Sequence, residues 1–341
     1  MAVTLAQIAA LAGVSRGTVD RALNGRGRID PKVAARIRRI AGELGYQPNR
    51  AGKLLARAKN PMKIGVIIQS VKTAFMSMVL RETEQAMAHF ASDGAEVLLR
   101  TTDTIDASLQ LAQIDELVEA GISGLAITPA EDTRIQARLD KLAGRIPVVT
   151  FNTDLPEGAK RLCYVGQDNY AVGRACAGLM GLALHGQGEV LVVAGSAKNW
   201  SHQQRVEGFC DEARAEFPGL RLLPPQTCED DQKQAHDIVC GAVREHPGLA
   251  GVYVSVNGQA GACDAIRELG LRGRLHLVCH DLTPVNAQNV RDGLIDFLID
   301  QDAHEQGVRP VELLLDYLLV GERPPAGRLL TRIDIRNRYN V

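Results

Sequence analysis

The sequence predicts a small all-α head carrying a helix-turn-helix, followed by an α/β body of two doubly wound parallel-sheet subdomains. Three observations lead there. Charge is segregated: the 341 residues hold 39 Lys+Arg against 40 Asp+Glu, a net charge of -1, yet residues 1 to 59 alone carry +9 and the remainder -10. The first 45 residues read as short capped helices. From Met62 onward, β-branched runs alternate with helical stretches, the signature of parallel strands covered on both faces.

The first helix starts at Thr4-Leu5-Ala6-Gln7, a capping box in which the Thr hydroxyl and the Gln amide satisfy each other's backbone N–H groups. Leu5, Ile8, Ala9 and Ala12 share a face, and Gly13 stops the helix. Ser15 is placed to cap a second helix with Val19, Ala22 and Leu23 inward, closed by Asn24-Gly25. Two short helices joined through Ala12-Gly13-Val14 make a helix-turn-helix. Asp30-Pro31 starts a third, whose apolar stripe is Val33, Ile37, Ile40 and Leu44. Residues 1–48 are expected to form this head, 49–61 a connecting segment and 62–341 the body.

Four strand-like runs follow: Lys63 to Ile68, Glu96 to Leu99, Gly124 to Ile127 and Pro147 to Phe151. After a linker-like stretch, Asn152 to Leu162, the pattern restarts at Glu189 to Val193, Leu220 to Leu223, Gly251 to Val254 and Leu275 to Val278. Two halves are therefore expected one after the other, with a ligand cleft between them at the carboxyl ends of the strands.

Composition closes several classes. At 45% hydrophobic and 23% charged residues the chain is not of disordered type. Met1 to Leu5 lacks a signal-peptide pattern, and no run approaches the ~18 apolar residues of a membrane span, so a cytoplasmic location without membrane attachment is expected. The seven cysteines, at 163, 176, 210, 228, 240, 263 and 279, never fall as C-x-x-C, which suits buried thiols and argues against a metal site. Phosphate loops, G-x-S-x-G and H-E-x-x-H are missing; Gly258-Gln259-Ala260-Gly261 suits a close helix-to-strand contact better than a nucleotide loop, and Glu229-Asp230-Asp231 suits a solvated loop. No enzyme activity and no cofactor are expected.

The second helix presents Arg16, Gly17, Thr18, Asp20 and Arg21 near its N-terminal end, the part of a recognition helix that meets base edges in the major groove. Arg16 and Arg21 can pair bidentately with guanine, Ser15 and Thr18 can meet phosphate, and Arg26, Arg28, Lys32 and Arg36 add backbone charge. Further residues sharpen this reading. Thr4-Leu5, Ala12-Gly13-Val14-Ser15, Thr18-Val19, Arg21, Asn24, Leu44-Gly45-Tyr46 and Pro48-Asn49-Arg50 together resemble the DNA-binding head of the lactose-repressor (LacI/GalR) family.

That resemblance implies a hinge helix from Asn49 to Ala56, formed when two subunits pair on operator DNA, with Leu55 as a minor-groove wedge that unstacks a base step. Gly52 costs such a helix about 1 kcal/mol, and eight residues are too few to persist alone. Asp20 departs from the usual Ser, and a carboxylate there favours cytosine N4 over phosphate.

The body resembles the same family's ligand core, of type I periplasmic-binding-protein kind and closest to ribose-type binding proteins. By that resemblance Thr73, Phe75 and Met76 follow strand one where aromatic residues stack on a sugar ring, and Asn152 stands at a ligand carboxylate position. Gln203 and Arg205 cover a binding arginine, Asn257 lies on a further strand-end loop, Asp281 matches a hydroxyl-binding aspartate and Gln301 a binding glutamine. Amides, carboxylates and an arginine suit a polyhydroxy ligand. Each also has a structural alternative: Asp281 capping a helix, Phe75 in the core, Arg205 paired with Glu207. The only tryptophan, Trp200, is expected to line the cleft or sit on its rim. The resemblance implies a homodimeric, sequence-specific transcriptional regulator of repressor type, binding double-stranded operator DNA under control of a small sugar, polyol or sugar phosphate. A sugar-binding protein without a DNA role is the alternative.

Overall fold

The structure, a computed structural model, describes residues 3–23, 29–44, 61–156, 158–195 and 199–341. The chain divides into two compact units, one of residues 1–59 with 319–322 and one of residues 60–318 with 323–341.

In the head unit, α1 (Leu5–Ala12) starts at the capping box: Gln7 N–H donates to Thr4 Oγ1 at 3.4 Å and Thr4 N–H to Gln7 Oε1 at 2.8 Å. Gly13 ends it at φ 61°, in the left-handed region that glycine enters without a Cβ penalty. Helix α2 (Arg16–Leu23) starts where Ser15 Oγ accepts from Thr18 N–H at 3.1 Å. Helix α3 (Pro31–Glu43) starts under Asp30, whose carboxylate takes Lys32 N–H at 2.7 Å and Val33 N–H at 3.3 Å. Such caps contribute about 1 kcal/mol each. Ile8, Ala9, Ala12, Val19, Ala22, Ala34, Ile37, Ile40 and Ala41 form one core. The third helix differs from expectation. Leu44 is 37% exposed, while Ala34 and Ala41 face inward with Ile37, since small side chains let the helices approach along that line.

The body unit has two sheets. The first (lobe 1) comprises β1 (Met62–Ile68), β2 (Ala95–Thr101), β3 (Gly124–Ile127), β4 (Val148–Phe151), β5 (Cys163–Gly166) and β12 (Arg328–Leu330) in the order β12-β5-β4-β3-β1-β2, all parallel. The second (lobe 2) holds β6 (Gly188–Ala194), β7 (Leu220–Leu222), β9 (Leu249–Val254), β10 (His276–His280), β11 (Phe297–Asp300) and β13 (Asp334–Arg336) in the order β13-β11-β10-β9-β6-β7. The short β8 (Gln226–Thr227) pairs with β6, and β13 is antiparallel to β11.

Lobe 1 carries α4 (Ala74–Ser92), α5 (Ala107–Glu119) and α6 (Thr133–Leu142); lobe 2 carries α7 (Asn169–Ala183), α8 (Trp200–Glu216), α9 (Gln232–Glu245), α10 (Gln259–Glu268) and α11 (Pro284–Arg291). Lobe 2 has a separate apolar cluster on each face of its sheet. Its strands are accordingly apolar nearly throughout.

The halves do not simply follow one another. Strand β5 still belongs to lobe 1, and α12 (Ala303–Val320) returns to it: Gly124 lies against Leu314, and Thr83 Oγ1 donates to Gly307 O at 2.9 Å. The chain therefore crosses between lobes three times, at 167–168, 301–302 and 331–333. Buried Gln167 ties these crossings together. Its Nε2 donates to Asp300 O at 3.0 Å and to Arg332 O at 3.1 Å. Among the described residues no helix is long and apolar enough to cross a membrane, and no group of three or more His, Cys, Asp or Glu is placed to hold a metal ion.

Candidate ligand cleft and DNA-facing helix

Parallel strands deliver their carboxyl ends to one place, and in this body both sheets deliver them to a shared cavity. Its lining comes from the loops after β1 (Gln69, Ser70), β2 (Ile105), β4 (Asn152, Thr153), β8 (Asp230), β9 (Val256, Asn257), β10 (Asp281) and β11 (Gln301). The first turns of α4 (Thr73, Phe75, Met76) and α8 (Asn199, Ser201, His202, Arg205) complete it. The cavity measures about 90 Å3. One water needs about 10–15 Å3 on that measure, so the space suits a molecule with the bulk of several waters.

Four lining residues turn the chain sharply at strand ends. Ser70, Asn152, Asp230 and Asp281 have φ of 57°, 61°, 61° and 72°. Asn and Asp tolerate this left-handed backbone best among residues with a Cβ, which accounts for their use here.

Arg205 organises the lobe 2 wall. It reaches the cavity because α7 and α8 cross in close contact: a Cβ at Gly173 would lie 2.1 Å from Arg205 O, and one at Gly208 2.1 Å from Tyr170 O. The buried guanidinium donates through Nε to Asn169 Oδ1 at 2.8 Å, through Nη1 to Ser255 O at 3.2 Å and through Nη2 to Gln301 Oε1 at 2.5 Å. Gln301 Nε2 donates onward to Asp281 Oδ1, and Gln259 Nε2 fills Asp281 Oδ2 at 3.1 Å. Glu207 takes no part, and Thr283 rather than Asp281 caps α11. Burial pushes the Asp281 carboxyl up, while Arg205 and the two amides hold it down. Burial and then Arg205 pull His202 down to about 3, so its imidazole is neutral near pH 7.

Asn257 is held by Asp230, which takes its N–H on Oδ1 at 3.1 Å and its Nδ2 on the main-chain oxygen at 2.8 Å. On lobe 1, Phe75 and Met76 are each 6% exposed and form an apolar wall. Asn152 Nδ2 donates to Gln306 Oε1 at 3.2 Å, and Gln306 Nε2 to Gln301 O at 2.7 Å, so both walls reach the crossing at 301–302.

Of the residues singled out in the sequence, Thr73, Phe75, Met76, Asn152, Arg205, Asn257, Asp281 and Gln301 line this cavity. Gln203 does not: it is exposed, because the inward face of α8 runs through 201, 202 and 205, and one step along a helix turns a side chain by roughly 100°. Trp200 is half-buried beside the cleft but outside its lining, with its backbone N–H directed to the Glu131 carboxylate of lobe 1. Asp230 corrects the solvated-loop expectation for 229–231. Strand-end position alone could have suggested Gln69 and Ser70; nothing local marks Asp230. Gly261 makes a close contact, but with a helix and not the expected strand: Gln232 O of α9 is only 1.8 Å from where a Cβ would stand.

In the head, Ser15, Arg16, Gly17 and Arg21 are exposed on α2, and Thr18 and Asp20 are half-buried. Ser15 Oγ and Thr18 Oγ1 lie 2.9 Å apart, and Arg21 Nε donates to Gly17 O at 3.1 Å. Thr4 caps α1. Asn24, Arg28, Asn49, Arg50 and Leu55 lie outside the described residues, as does the whole hinge-helix expectation.

Comparison with known proteins agrees with both parts. Residues 64–323 match the periplasmic binding protein domain, and residues 4–49 match the bacterial regulatory proteins of the lacI family. The chain is 25% identical over 277 residues to the D-ribose/D-allose-binding protein of Pseudomonas aeruginosa, covering 78% of this chain and 86% of that protein. It is 29% identical over 222 residues to the HTH-type transcriptional regulator PtxS of Pseudomonas plecoglossicida, covering 64% and 62%. The ribose operon repressor of Haemophilus influenzae is 25% identical over 207 residues, covering 60% and 59%.

Among solved structures, a solute-binding protein from Burkholderia graminis in complex with D-arabinose superposes with a TM-score of 0.74 at 24% identity, covering 82% of this chain and 96% of that one. A glucose-galactose binding protein from Geobacillus stearothermophilus gives 0.74 at 18%, covering 83% and 99%. The named relatives are regulators and binding proteins. The chain belongs to the periplasmic-binding-protein-domain family and carries at its N-terminus the helix-turn-helix head of the lacI-family bacterial regulators.

Proposed function

We propose that the protein is a sequence-specific transcriptional regulator of repressor type, a cytoplasmic homodimer whose operator binding responds to a small polyhydroxy ligand in the cleft. In this reading residues 1–48 contact DNA, 49–61 connect, and 62–341 bind ligand and pair the subunits. Arg16 and Arg21 read bases, Ser15 and Thr18 meet phosphate, and the body performs no chemistry of its own. The +9 charge of residues 1–59 draws them to DNA while the remainder, at -10, is repelled.

The supporting observation is a continuous hydrogen-bonded line, Asp281–Gln301–Arg205, whose middle member sits on a crossing between the lobes. A ligand hydroxyl that engages Asp281 or Arg205 acts on the same residue whose main-chain oxygen holds Gln306 of lobe 1. Occupancy thereby favours one lobe angle over another, to the extent that the ligand binds the two states with different affinity.

A thermal-shift screen of monosaccharides, polyols and their phosphates tests the cleft: at least one is expected to raise the melting temperature, and none doing so rejects the assignment. For the head, Arg16→Ala and Arg21→Ala are each expected to cost ~1 to 3 kcal/mol of base discrimination. Unchanged selectivity in gel shifts with DNA selected from a random library contradicts the recognition-helix role.

A further inference from the structure

The two walls of the cleft are not equally charged. Among the described lining residues the ionisable groups that carry charge at neutral pH are Arg205, Asp230 and Asp281, all on lobe 2, since His202 is neutral. Arg205 spends three of its five N–H donors on the protein: Nε, Nη1 and Nη2 each hold a protein oxygen. Both oxygens of Asp281 accept from side-chain amides. Asp230 is engaged by the Asn257 N–H on one oxygen, which leaves acceptor capacity on a carboxylate facing the cavity. Two carboxylates against one guanidinium leave the pocket with a net negative charge that welcomes hydrogen-bond donors and repels a further anion, the more so in a low-dielectric interior.

On this basis, and resting on the reading of the cleft as a polyhydroxy-ligand site, we propose that Asp230 is a specificity-determining residue: the cleft takes an uncharged, unphosphorylated sugar or polyol, donating a hydroxyl to Asp230, and rejects its phosphate ester.

The test is calorimetric titration of the full chain with free monosaccharides and the matching phosphate esters. The ester is expected to bind at least tenfold more weakly than the free sugar. In Asp230→Asn, which removes the charge yet keeps an oxygen for the Asn257 N–H, that ratio is expected to narrow at least fivefold. An ester that binds wild type equally or more tightly overturns the proposal, as does an unchanged ratio in the variant.

Should the variant fail to fold, wild type at pH 7.5 and 5.5 decides. The ester's second ionisation lies near pH 6, and protonation of Asp230 and Asp281, whose carboxyls burial pushes up, acts in the same direction, while burial keeps His202 neutral. A ratio that narrows at pH 5.5 supports the proposal, and a constant or wider one overturns it. If no sugar binds in either form, the polyhydroxy-site reading itself fails and this proposal falls with it.

Discussion

Lobe 1 and lobe 2 meet the cleft with different chemistry. Lobe 1 offers Phe75, Met76 and Ile105 with amides and hydroxyls, and no charged group among its described lining residues; lobe 2 offers Arg205 and Asp281 joined through Gln301, and Asp230 bonded to Asn257. A buried charged network tolerates little change, because removing one member strands the others. An apolar wall tolerates changes that conserve volume. In the function proposed above, lobe 2 is the rigid platform that fixes ligand hydroxyls, and lobe 1 the cover that tests shape.

The largest effect is expected for Arg205→Ala, which strips Asn169, Ser255 and Gln301 of a donor. A stability loss of about 4 kcal/mol in urea denaturation is expected, together with loss of ligand binding. A near-wild-type midpoint contradicts the platform picture. Gly173→Ala comes next: the new methyl meets backbone at Arg205, which cannot swing away, so about 3 kcal/mol is expected by the same measurement.

Gln167→Ala leaves the lining intact but unties the three crossings. About 2 kcal/mol is expected, and the ligand-induced change in fluorescence of Trp200, the only tryptophan, should alter while Arg205 still binds ligand. An identical fluorescence response places the hinge elsewhere.

The next effect is with pH. His202 has a folded pKa near 3, below its unfolded value of about 6.5. Its contribution is therefore complete above about pH 6.5 and is lost as pH falls toward 3, at up to ~1.4 kcal/mol per unit. His280, also held low by burial, acts in the same sense, and Asp230 and Asp281, held high, act oppositely. Comparing wild type with His202→Gln removes those common parts: wild type should lose stability faster between pH 6.5 and 5, and parallel curves contradict a buried neutral imidazole. The smallest effect is expected on lobe 1, where Met76→Leu conserves volume and should cost under about 1.5 kcal/mol while shifting preference among sugars.

The head was legible in the sequence because caps are local: Thr4 with Gln7, Ser15 with Thr18, and Asp30 before Pro31 are read within four residues. Leu44 misled because the helix ends at Glu43 and Leu44 stands at its C-cap. In the body the long apolar strands were readable, but Cys163–Gly166 and Arg328–Leu330 were not. Each is too short to carry a periodicity, and the two pair with one another across more than 160 residues, although Cys163–Gly166 also pairs with the nearby β4. The same non-locality hid the triple crossing and Gln167. Site residues at ends of readable strands, such as Asn152 and Asp281, could be found. Asp230 could not, since its place in the cleft depends on Asn257 from another strand.

The central claim is that ligand in the body controls DNA binding by the head. Fluorescence anisotropy at fixed salt, with full-length protein and a duplex selected from a random library, measures it directly when repeated with a sugar that raises the melting temperature. The affinity is expected to change at least tenfold with sugar, and not at all in Arg205→Ala. The same affinity with and without a bound sugar contradicts the account.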